Sequence, residues 1–480
     1  MPSRFITRRA MIQGISAGAF VAATMRWRKA GARGGRGSVG LIPPNAYNAV
    51  TNTTVYADTN MPAIGAAGTT YADPTFGSRV LRVTDGNTAA SSGTYNNISF
   101  NPSTGSNELR QNNVDGTRFH CVSTLAGQSV IFNFDADTFT ASLQTVNSSW
   151  CTDLGIGLGT IQWDIAAPDV FYGVNSTTKN VDKYDLSTDT LTHGIWNTGS
   201  ISGASHFADF SIALANGRMV MSLGPQDTGT LVGAYDPITN TQWLLDLNAG
   251  TVNGTPVQIY INGVATAWQP CTVHNTTIGQ DGRYVKVSAH GTVGGLTNPI
   301  LVWDLETATI SEIPNGISHQ AMGYGWMFND PIEMEVWMRD ITTQSGIANP
   351  TIINPNSYTP DQGRDNYVSW INAQPNRYTP IFYSAYEDPS SGVTYPFAPA
   401  ITIPWQREVM AIATDGSGIV YRFAHNYQYW NNHFYDSVEN VVFSNGLFVM
   451  FNSNMQNSLG TDSSTGNPRN DTFLVKLSPL

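Results

Sequence analysis

A short phrase recurs along this chain: an apolar strand pattern that ends in aspartate, followed by a turn and a threonine. It occurs at 130–138, 181–188, 231–239 and 300–307. The first three of its aspartates lie roughly 50 residues apart, which is the length of a four-stranded propeller blade. The phrase therefore predicts an array of similar β-sheets rather than several unrelated domains.

Turn signals that precede an alternating apolar strand give the number of blades. Asp115-Gly116, Asn216-Gly217, Asp281-Gly282 and Asn445-Gly446 are strong signals, because Asp-Gly and Asn-Gly favour tight hairpins. Weaker versions occur near positions 168, 331 and 406. The seven signals predict an all-β fold, a seven-bladed β-propeller.

The ends of the repeat indicate how the ring closes. Only two strand patterns, 448–452 and 473–476, follow the last Asn-Gly, so with 440–443 the final blade lacks one strand. Residues 79–85 have the pattern of the missing strand, and their pairing with the last sheet would remove an exposed edge. We therefore predict a propeller over 79–480, with residues 38–78 as a leader that wraps over one face.

The first 37 residues differ from the rest. Arg8-Arg9 precede an apolar stretch that ends near Met25, and a basic segment follows. This is typical of a twin-arginine export signal, and the apolar stretch is too short to span a bilayer. We expect a periplasmic or extracellular protein without a membrane segment once the signal is removed.

Composition fits a secreted all-β protein and excludes some partners. Charged residues form 12% of the chain and hydrophobic residues 41%, with 45 glycines. Residues 1–37 hold eight of the 24 Arg and Lys and none of the 35 acids, so without them the net charge changes from −11 to about −19. Such a surface argues against nucleic acid as a partner. We expect a monomer.

The chain has three cysteines, Cys121, Cys151 and Cys271, too few for a disulfide framework. Either all three are buried thiols in strands, or Cys121 and Cys151 form one bridge. There is no Cys-x-x-Cys metal signature.

Histidines precede several first strands, which line the central channel of a propeller. They include His206, His274, His319 and His425, while Arg110, Gln111, Gln162 and Trp163 occupy comparable places in the first two blades. Imidazole and amide oxygen suit a divalent metal, and imidazole also suits a general base. Alternatively, each histidine is a hydrogen-bonded spacer between blades. His120, His193 and His290 lie away from the predicted channel, and we interpret them as structural.

The chain resembles the secreted seven-bladed propellers of the oligogalacturonate lyases and related polysaccharide lyases. Phrases such as 413–418 followed by 422–425 also resemble uncharacterised secreted bacterial propellers, which bring no activity with them. The lyase resemblance implies β-elimination on uronate-containing glycans, assisted by one divalent metal such as manganese, calcium or zinc. It implies His274, His319, His425 and Gln428 as metal ligands. His206 becomes the base, with Arg110 or Arg422 as the partner of the substrate carboxylate.

Sugar binding would use polar and aromatic side chains near the channel mouth. The candidates are Gln111, Gln162, Trp163, Trp326, Trp370 and Trp430. Most tryptophans in a propeller pack between blades, so stacking on sugar and packing remain alternatives for each. Asp153, Asp164, Asp209 and Glu439 are acids for glycoside hydrolysis, but no spacing selects a pair. The other function that we consider is a non-catalytic glycan- or protein-binding module.

Overall fold

Strands account for the fold, and they are grouped in seven sheets that follow one another along the chain. The computed structural model describes residues 43–88, 97–102, 111–124, 129–144, 161–175, 177–205, 208–314, 320–332, 335–353, 364–375, 378–387, 400–402, 404–431 and 436–480. The Arg8-Arg9 signal and the start of the leader lie outside this set. In the described part of the chain, no helix has the length and apolar character needed to cross a membrane.

Two strands precede the first complete blade, β1 (Thr70–Ala72) and β2 (Arg79–Arg82). Blade 1 consists of β3 (Phe100–Asn101), β4 (Arg118–Ser123), β5 (Ser129–Asp135) and β6 (Thr140–Leu143). Blade 2 consists of β7 (Gln162–Trp163), β8 (Val170–Val174), β9 (Val181–Asp185) and β10 (Thr190–Trp196). A 3₁₀ turn at Thr198–Ser200 leads to the next blade.

Blades 3 and 4 carry additional strands at their outer edges. Blade 3 consists of β11 (Ala208–Ile212), β12 (Met219–Ser222), β13 (Leu231–Asp236), β14 (Thr241–Asp246), β15 (Thr251–Val252) and β16 (Thr255–Pro256). The hairpin β17 (Gln258–Ile261) and β18 (Val264–Thr266) joins blade 4, in which β17 pairs parallel with the outer strand. The other strands of blade 4 are β19 (Thr272–Ile278), β20 (Tyr284–His290), β23 (Ile300–Asp304) and β24 (Thr309–Ile313), and a small ribbon of β21 (Thr292–Val293) and β22 (Leu296–Thr297) lies between β20 and β23.

The last three blades complete the ring. Blade 5 consists of β25 (Gln320–Met322), β26 (Trp326–Ile332), β27 (Glu335–Asp340) and β28 (Thr351–Ile352), with the short helix α1 (Gln344–Ala348) before β28. Blade 6 consists of β29 (Arg364–Ser369), β30 (Ile381–Glu387), β31 (Glu408–Ile412) and β32 (Val420–His425). Blade 7 combines β33 (Val441–Val442), β34 (Phe448–Ser453) and β35 (Asp471–Lys476) with β2 and β1.

The strand order confirms the seven-bladed propeller and the closing strand. In blade 7 the order is β33-β34-β35-β2-β1, and Val80 and Leu81 pair with Val475 and Leu474. The first strands of successive blades approach one another, as β7 and β11, β11 and β19, β25 and β29, and β29 and β33 do, so first strands surround the axis. The N-terminal strand therefore closes the ring as its pattern predicts.

Seven apolar clusters fill the seven gaps between neighbouring blades. Side chains alternate along a strand, so one apolar strand packs into the gaps on both sides of its blade. In β5, Val130 and Phe132 enter the gap towards blade 7, while Ile131 enters the gap towards blade 2. Both faces are buried, so the strand reads as a continuous apolar run.

The repeated aspartates cap the turns that follow the third strands. Asp236 Oδ1 accepts from the backbone N–H groups of Ile238 and Thr239, and Asp185 Oδ1 accepts from that of Ser187. The hydroxyl of Ser187 and the N–H groups of Ser187 and Thr188 hold the pKa of the Asp185 carboxyl below its usual range. The aspartates therefore belong to the scaffold.

Two turns differ from their predicted positions, although the blade count is unchanged. Pro331 lies inside β26, where a register shift between Asn329 and Ile332 accommodates it, and the first turn of blade 5 is at 323–325. The segment 404–407 joins the second and third strands of blade 6, whose first connection spans 370–380. The described residues between 342 and 404 belong to the end of blade 5 and the start of blade 6.

Of the two alternatives for the cysteines, the buried thiol is observed for both cysteines that the structure describes. Cys121 is a buried free thiol that packs in the gap between blades 7 and 1, and Cys271 is also free and buried. Burial raises the pKa of both thiols to about 12, so both act as small apolar side chains. Cys151 lies outside the described residues.

A second contact joins the ends of the ring beside the closing strand. Asp462, in the loop between β34 and β35, accepts from the Ser99 N–H at 2.8 Å and from the Thr124 hydroxyl at 2.7 Å, both in blade 1. Burial alone would raise the pKa of Asp462, but bonds from Ser464, Ser99 and Thr124 lower it to about 2. The carboxylate thus fastens blade 7 to blade 1.

We expect Asp462→Asn to lower the free energy of unfolding by about 1–3 kcal/mol at pH 7, because the two blade 1 donors that share Oδ2 lose a charged acceptor. The depressed pKa means that this stabilisation is present above about pH 4, the pKa of an unfolded aspartate, and is lost as pH falls towards 2. Denaturant unfolding between pH 2 and pH 7 measures both effects. Asp415→Asn is the control, since Asp415 bonds within its own turn; an equal loss in the control would contradict the assignment.

Candidate functional site

One end of the channel collects the segments that lead into the first strands and the loops between second and third strands. This follows from the antiparallel order within each blade. At the opposite end, the turns between first and second strands bond to one another, as from Asn113 Nδ2 to the Pro168 carbonyl and from Asn216 Nδ2 to the Asp281 carbonyl. The first end is therefore the more variable, and its functional side chains are sought there.

His274 stands at this end on a β-bulge. The register between β19 and β20 shifts between Val273 and Asn275, so that His274 is the extra residue. A bulge turns a side chain out of the alternation of its strand and is often found beside active sites. The His274 side chain is 45% exposed, unlike the buried residues that follow it.

Asp227 orients the His274 ring from the loop between β12 and β13. Its Oδ1 lies 2.7 Å from His274 Nδ1, and both side chains are nearly half exposed. The Asp227 backbone has a positive φ of 63°. Two hydrogen bonds hold it in place: the Asp227 N–H donates to the Val273 carbonyl, and the Thr272 hydroxyl donates to the Asp227 carbonyl. Because Nδ1–H donates to the carboxylate, the lone pair of the neutral ring is on Nε2.

Gln226 lies beside the same ring. Its Nε2 is 3.1 Å from His274 Nδ1 and 3.3 Å from His274 Nε2. Since Nδ1 donates to Asp227, the amide of Gln226 can donate only to Nε2. The loop therefore supplies both a carboxylate and an amide to one imidazole.

The neighbouring first strand is irregular at the same end. In β11 the register shifts between Ala208 and Ser211, and Asp209 has a positive φ of 54°. The Ser222 hydroxyl donates to Asp209 Oδ2 at 3.0 Å and lies 3.4 Å from the Thr276 hydroxyl of blade 4. Backbone strain at polar residues is concentrated at functional sites. We name Asp209, Ser222, Gln226, Asp227 and His274 the polar rim.

Two of the four predicted metal ligands lie away from the channel, and their predicted placement is wrong. His425 ends β32, the outermost strand of blade 6, where its backbone N–H donates to Asp73 and its Nε2 lies 3.3 Å from the Tyr56 carbonyl. Gln428 follows it and accepts from the Asn454 N–H at 2.7 Å. The phrase 422–425 ends one blade and does not begin the next. His319 lies outside the described residues.

The structure describes only part of the predicted metal centre. None of their histidines, cysteines and acids form a group of three that could hold a metal ion. Of the predicted set, only His274 is described at the rim. The divalent metal stays a prediction from resemblance.

Arg422, predicted to bind a substrate carboxylate, instead holds the leader. It is buried in β32, where it pairs with Glu408, donates to the carbonyls of Asn52 and Thr54, and stacks on the ring of Tyr56. The leader thus runs along the outer edge of blades 6 and 7, not over the channel face. Arg110 and His206 lie outside the described residues.

The predicted sugar-binding side chains are mostly enclosed between blades. Gln111, Gln162 and Trp163 are at most 1% exposed between blades 1 and 2. Trp370 is buried between blades 5 and 6 with its Nε1 donating to the Thr379 carbonyl. Trp326 packs partly buried against the same cluster, and Trp430 is partly buried. Trp163 and Trp370 therefore pack between blades and do not stack on sugar, and Gln111 and Gln162 are enclosed in the same gap as Trp163.

Sequence reasoning missed Gln226 and Asp227. Gly224 and Gly229 lie at the two ends of this loop. A Cβ on either glycine would stand 2.5 Å from the backbone of the other, so neither position has room for a side chain. A polar loop bounded by glycines after a buried strand was the available signal. Asp209 was one of several acids that no spacing selected.

Comparison with known proteins identifies neither a family nor an activity. No protein-family model matches the chain, and no curated protein matches it. Among solved structures, an oligogalacturonate lyase from Vibrio parahaemolyticus aligns at 10% identity and a TM-score of 0.49 over 86% of this chain and 97% of its own. The β-propeller domain of Cps50 (Swd1) from Myceliophteria thermophila aligns at 9% identity and a TM-score of 0.38 over 79% and 99%.

We expect Arg422→Met to release the leader, because Glu408 would be left buried without its cation. The expected loss is about 3–5 kcal/mol in the free energy of unfolding, with faster proteolytic cleavage within 43–78. Limited proteolysis and denaturant unfolding measure these effects.

The double variant Arg422→Met/Glu408→Leu should recover much of this stability, since it removes both charges together. Arg79→Met is the surface control, because Arg79 is the exposed first residue of β2. Cleavage of the leader at an unchanged rate in Arg422→Met would show that the ion pair does not hold it.

Proposed function

We propose that this propeller is a carbohydrate-active protein that binds glycan at the polar rim, with His274 as the residue that accepts a proton. The observation that carries the proposal is the 2.7 Å bond between Asp227 Oδ1 and His274 Nδ1 on a bulge at the channel end. The pair is exposed to solvent and therefore accessible to a substrate.

The chemistry of the pair suits proton abstraction. A neutral imidazole titrates near physiological pH, and a carboxylate on Nδ1 both orients the ring and stabilises its protonated form. In β-elimination, Nε2 would take the proton α to a uronate carboxylate, the electrons of that C–H bond would form a C=C bond, and the bond to the leaving oxygen would break. The leaving oxygen would take a proton from solvent water. This step uses residues of the described chain and does not depend on the predicted metal.

A non-catalytic glycan-binding module is the second candidate, and Gln226 favours it. Its amide lies 3.3 Å from His274 Nε2 and covers the lone pair that a base would use. Amide, carboxylate and imidazole groups on one surface are also suited to pairs of sugar hydroxyls. The two candidates differ in whether Gln226 moves away when glycan binds.

The charge of the protein determines which glycans to test. A net charge of −11 for the full chain opposes long-range attraction of a polyuronate. Neutral polymers therefore belong in the screen beside uronate polymers.

We also propose export by the twin-arginine route, which rests on Arg8-Arg9 and the short apolar stretch after them. Fractionation of cells with wild-type and Arg8→Lys/Arg9→Lys chains tests it. Periplasmic or extracellular recovery that is independent of both arginines would contradict the route.

We expect His274→Ala to lower turnover of a uronate polymer about 10²–10⁴-fold if His274 is the base. The measurement is the ultraviolet absorbance of the unsaturated product, together with glycan binding. His193→Ala is a matched control, because His193 Nδ1 also bonds to an aspartate, Asp182, at 2.8 Å but lies on the outer strand of blade 2.

Three outcomes separate the candidates. Turnover that is lost in His274→Ala but kept in His193→Ala supports the base. Binding without turnover that is weakened by both Gln226→Ala and His274→Ala supports the binding module. The absence of binding and turnover across neutral and uronate polymers would reject both.

A further inference from the structure

A group of buried polar side chains without protein partners lies between blades 1 and 2, away from the polar rim. Asn101, Gln111, His120 and Ser129 are each at most 1% exposed. Both side-chain polar atoms of Asn101 and of Gln111, His120 Nε2 and Ser129 Oγ have no hydrogen-bond partner among the residues that the structure describes. We name these four residues the blade 1–2 amide cluster.

Strand register places all four side chains on one face of blade 1. Asn101 pairs with Val122, and Ser129 also pairs with Val122 from the other side. Asn112 pairs with Phe119, so Gln111 stands opposite His120, and the Gln111 carbonyl accepts from the His120 N–H at 2.9 Å. Since His120 and Val122 are two residues apart in β4, they share a face.

This face meets blade 2. Ile131, which pairs with His120, packs in the cluster that contains Trp163 and Phe171. Trp163 Nε1 lies 3.0 Å from the Gln111 carbonyl and 3.1 Å from His120 Nδ1. The unpartnered atoms of these four residues are thus held in one gap.

The tryptophan contact determines which proton His120 carries. The Trp163 N–H lies within hydrogen-bond distance of both the Gln111 carbonyl and His120 Nδ1. An indole N–H can only donate, and where it donates to Nδ1 the neutral ring carries its proton on Nε2, which is the tautomer that we infer. Burial lowers the pKa of His120 to about 3, which keeps the ring neutral. The unpartnered Nε2 is therefore a hydrogen-bond donor that needs an oxygen acceptor.

Charge and tautomer select the class of ligand. A metal ion would require the lone pair on Nε2, which this tautomer does not offer, and none of the four side chains has a charge to offset an ion. A neutral oxygen that both accepts and donates satisfies a donor such as His120 Nε2–H and the mixed amides of Gln111 and Asn101. Buried waters typically make about three such bonds to groups of this kind.

We propose that the blade 1–2 amide cluster is a binding site for a neutral hydroxyl ligand, which is ordered water in the protein alone and joins blades 1 and 2. Six unpartnered polar atoms within one gap would otherwise be a large uncompensated cost of folding. The site is independent of the proposed glycan chemistry, since it lies in another gap.

The sign of a stability change tests the proposal. If a ligand satisfies the Gln111 amide, Gln111→Leu should lower Tm by about 2–4 °C; if the amide is unsatisfied, the apolar replacement should raise Tm. Asn112→Leu is the matched control, because the Asn112 amide is partnered by the Asn113 carbonyl and by Ser444 and should lose stability in either case. A rise in Tm for Gln111→Leu overturns the proposal.

Two measurements on the wild-type protein keep the test valid if a variant does not fold. ¹⁵N NMR of His120 should show a neutral ring protonated on Nε2, and a proton on Nδ1 would overturn the argument. A high-resolution crystal structure should show oxygen within about 3.2 Å of His120 Nε2 and the Gln111 amide. A gap packed dry would also overturn it. Mass spectrometry of the denatured protein distinguishes water from a retained sugar or polyol, which has the same hydroxyl chemistry.

Discussion

The pairing of β2 with β35 is the constraint on which the rest of the structure depends. It supplies the fourth strand of blade 7 from the other end of the chain, and it places Val80 and Leu81 on opposite faces of the last sheet. Val80 completes the apolar gap towards blade 6, and Leu81 completes the gap towards blade 1. Without this strand, two of the seven gaps would each lose a buried side chain, and β35 would present an open edge.

Closure also explains why the leader covers a buried ion pair of blade 6. Once β2 is fixed in blade 7, the chain before it must run along the outer edges of blades 6 and 7. There it covers Arg422 and Glu408, an ion pair with no exposed side-chain surface. A buried pair needs further hydrogen bonds to offset its desolvation, and the carbonyls of Asn52 and Thr54 provide them. The leader and the outer strand therefore require each other.

The sequence was sufficient for the architecture, because the architecture depends on local signals repeated many times. Turns such as Asp281-Gly282 and the phrase that ends in Asp304 form within a few residues. The site depends on longer-range facts. His425 has a local pattern close to that of His274, but its strand is the last of its blade and not the first. A single sequence does not show which place a strand takes in its sheet. It also does not show the register shift that puts His274 on a bulge.

A histidine–aspartate pair does not by itself identify a site, since His193 and Asp182 form a second one at 2.8 Å. The Asp182 carboxylate is fully buried and also accepts from Asn175 Nδ2 and the Gly194 N–H, so it belongs to the structure of blade 2. Asp227 is 42% exposed, and the loop that carries it adopts a strained backbone to reach His274. The exposed Asp227 carboxylate gains no packing contacts that would offset the cost of this backbone conformation. At Asp182, three hydrogen bonds offset the cost of burying the carboxylate. The difference in compensation is the physical reason for assigning function to blades 3 and 4.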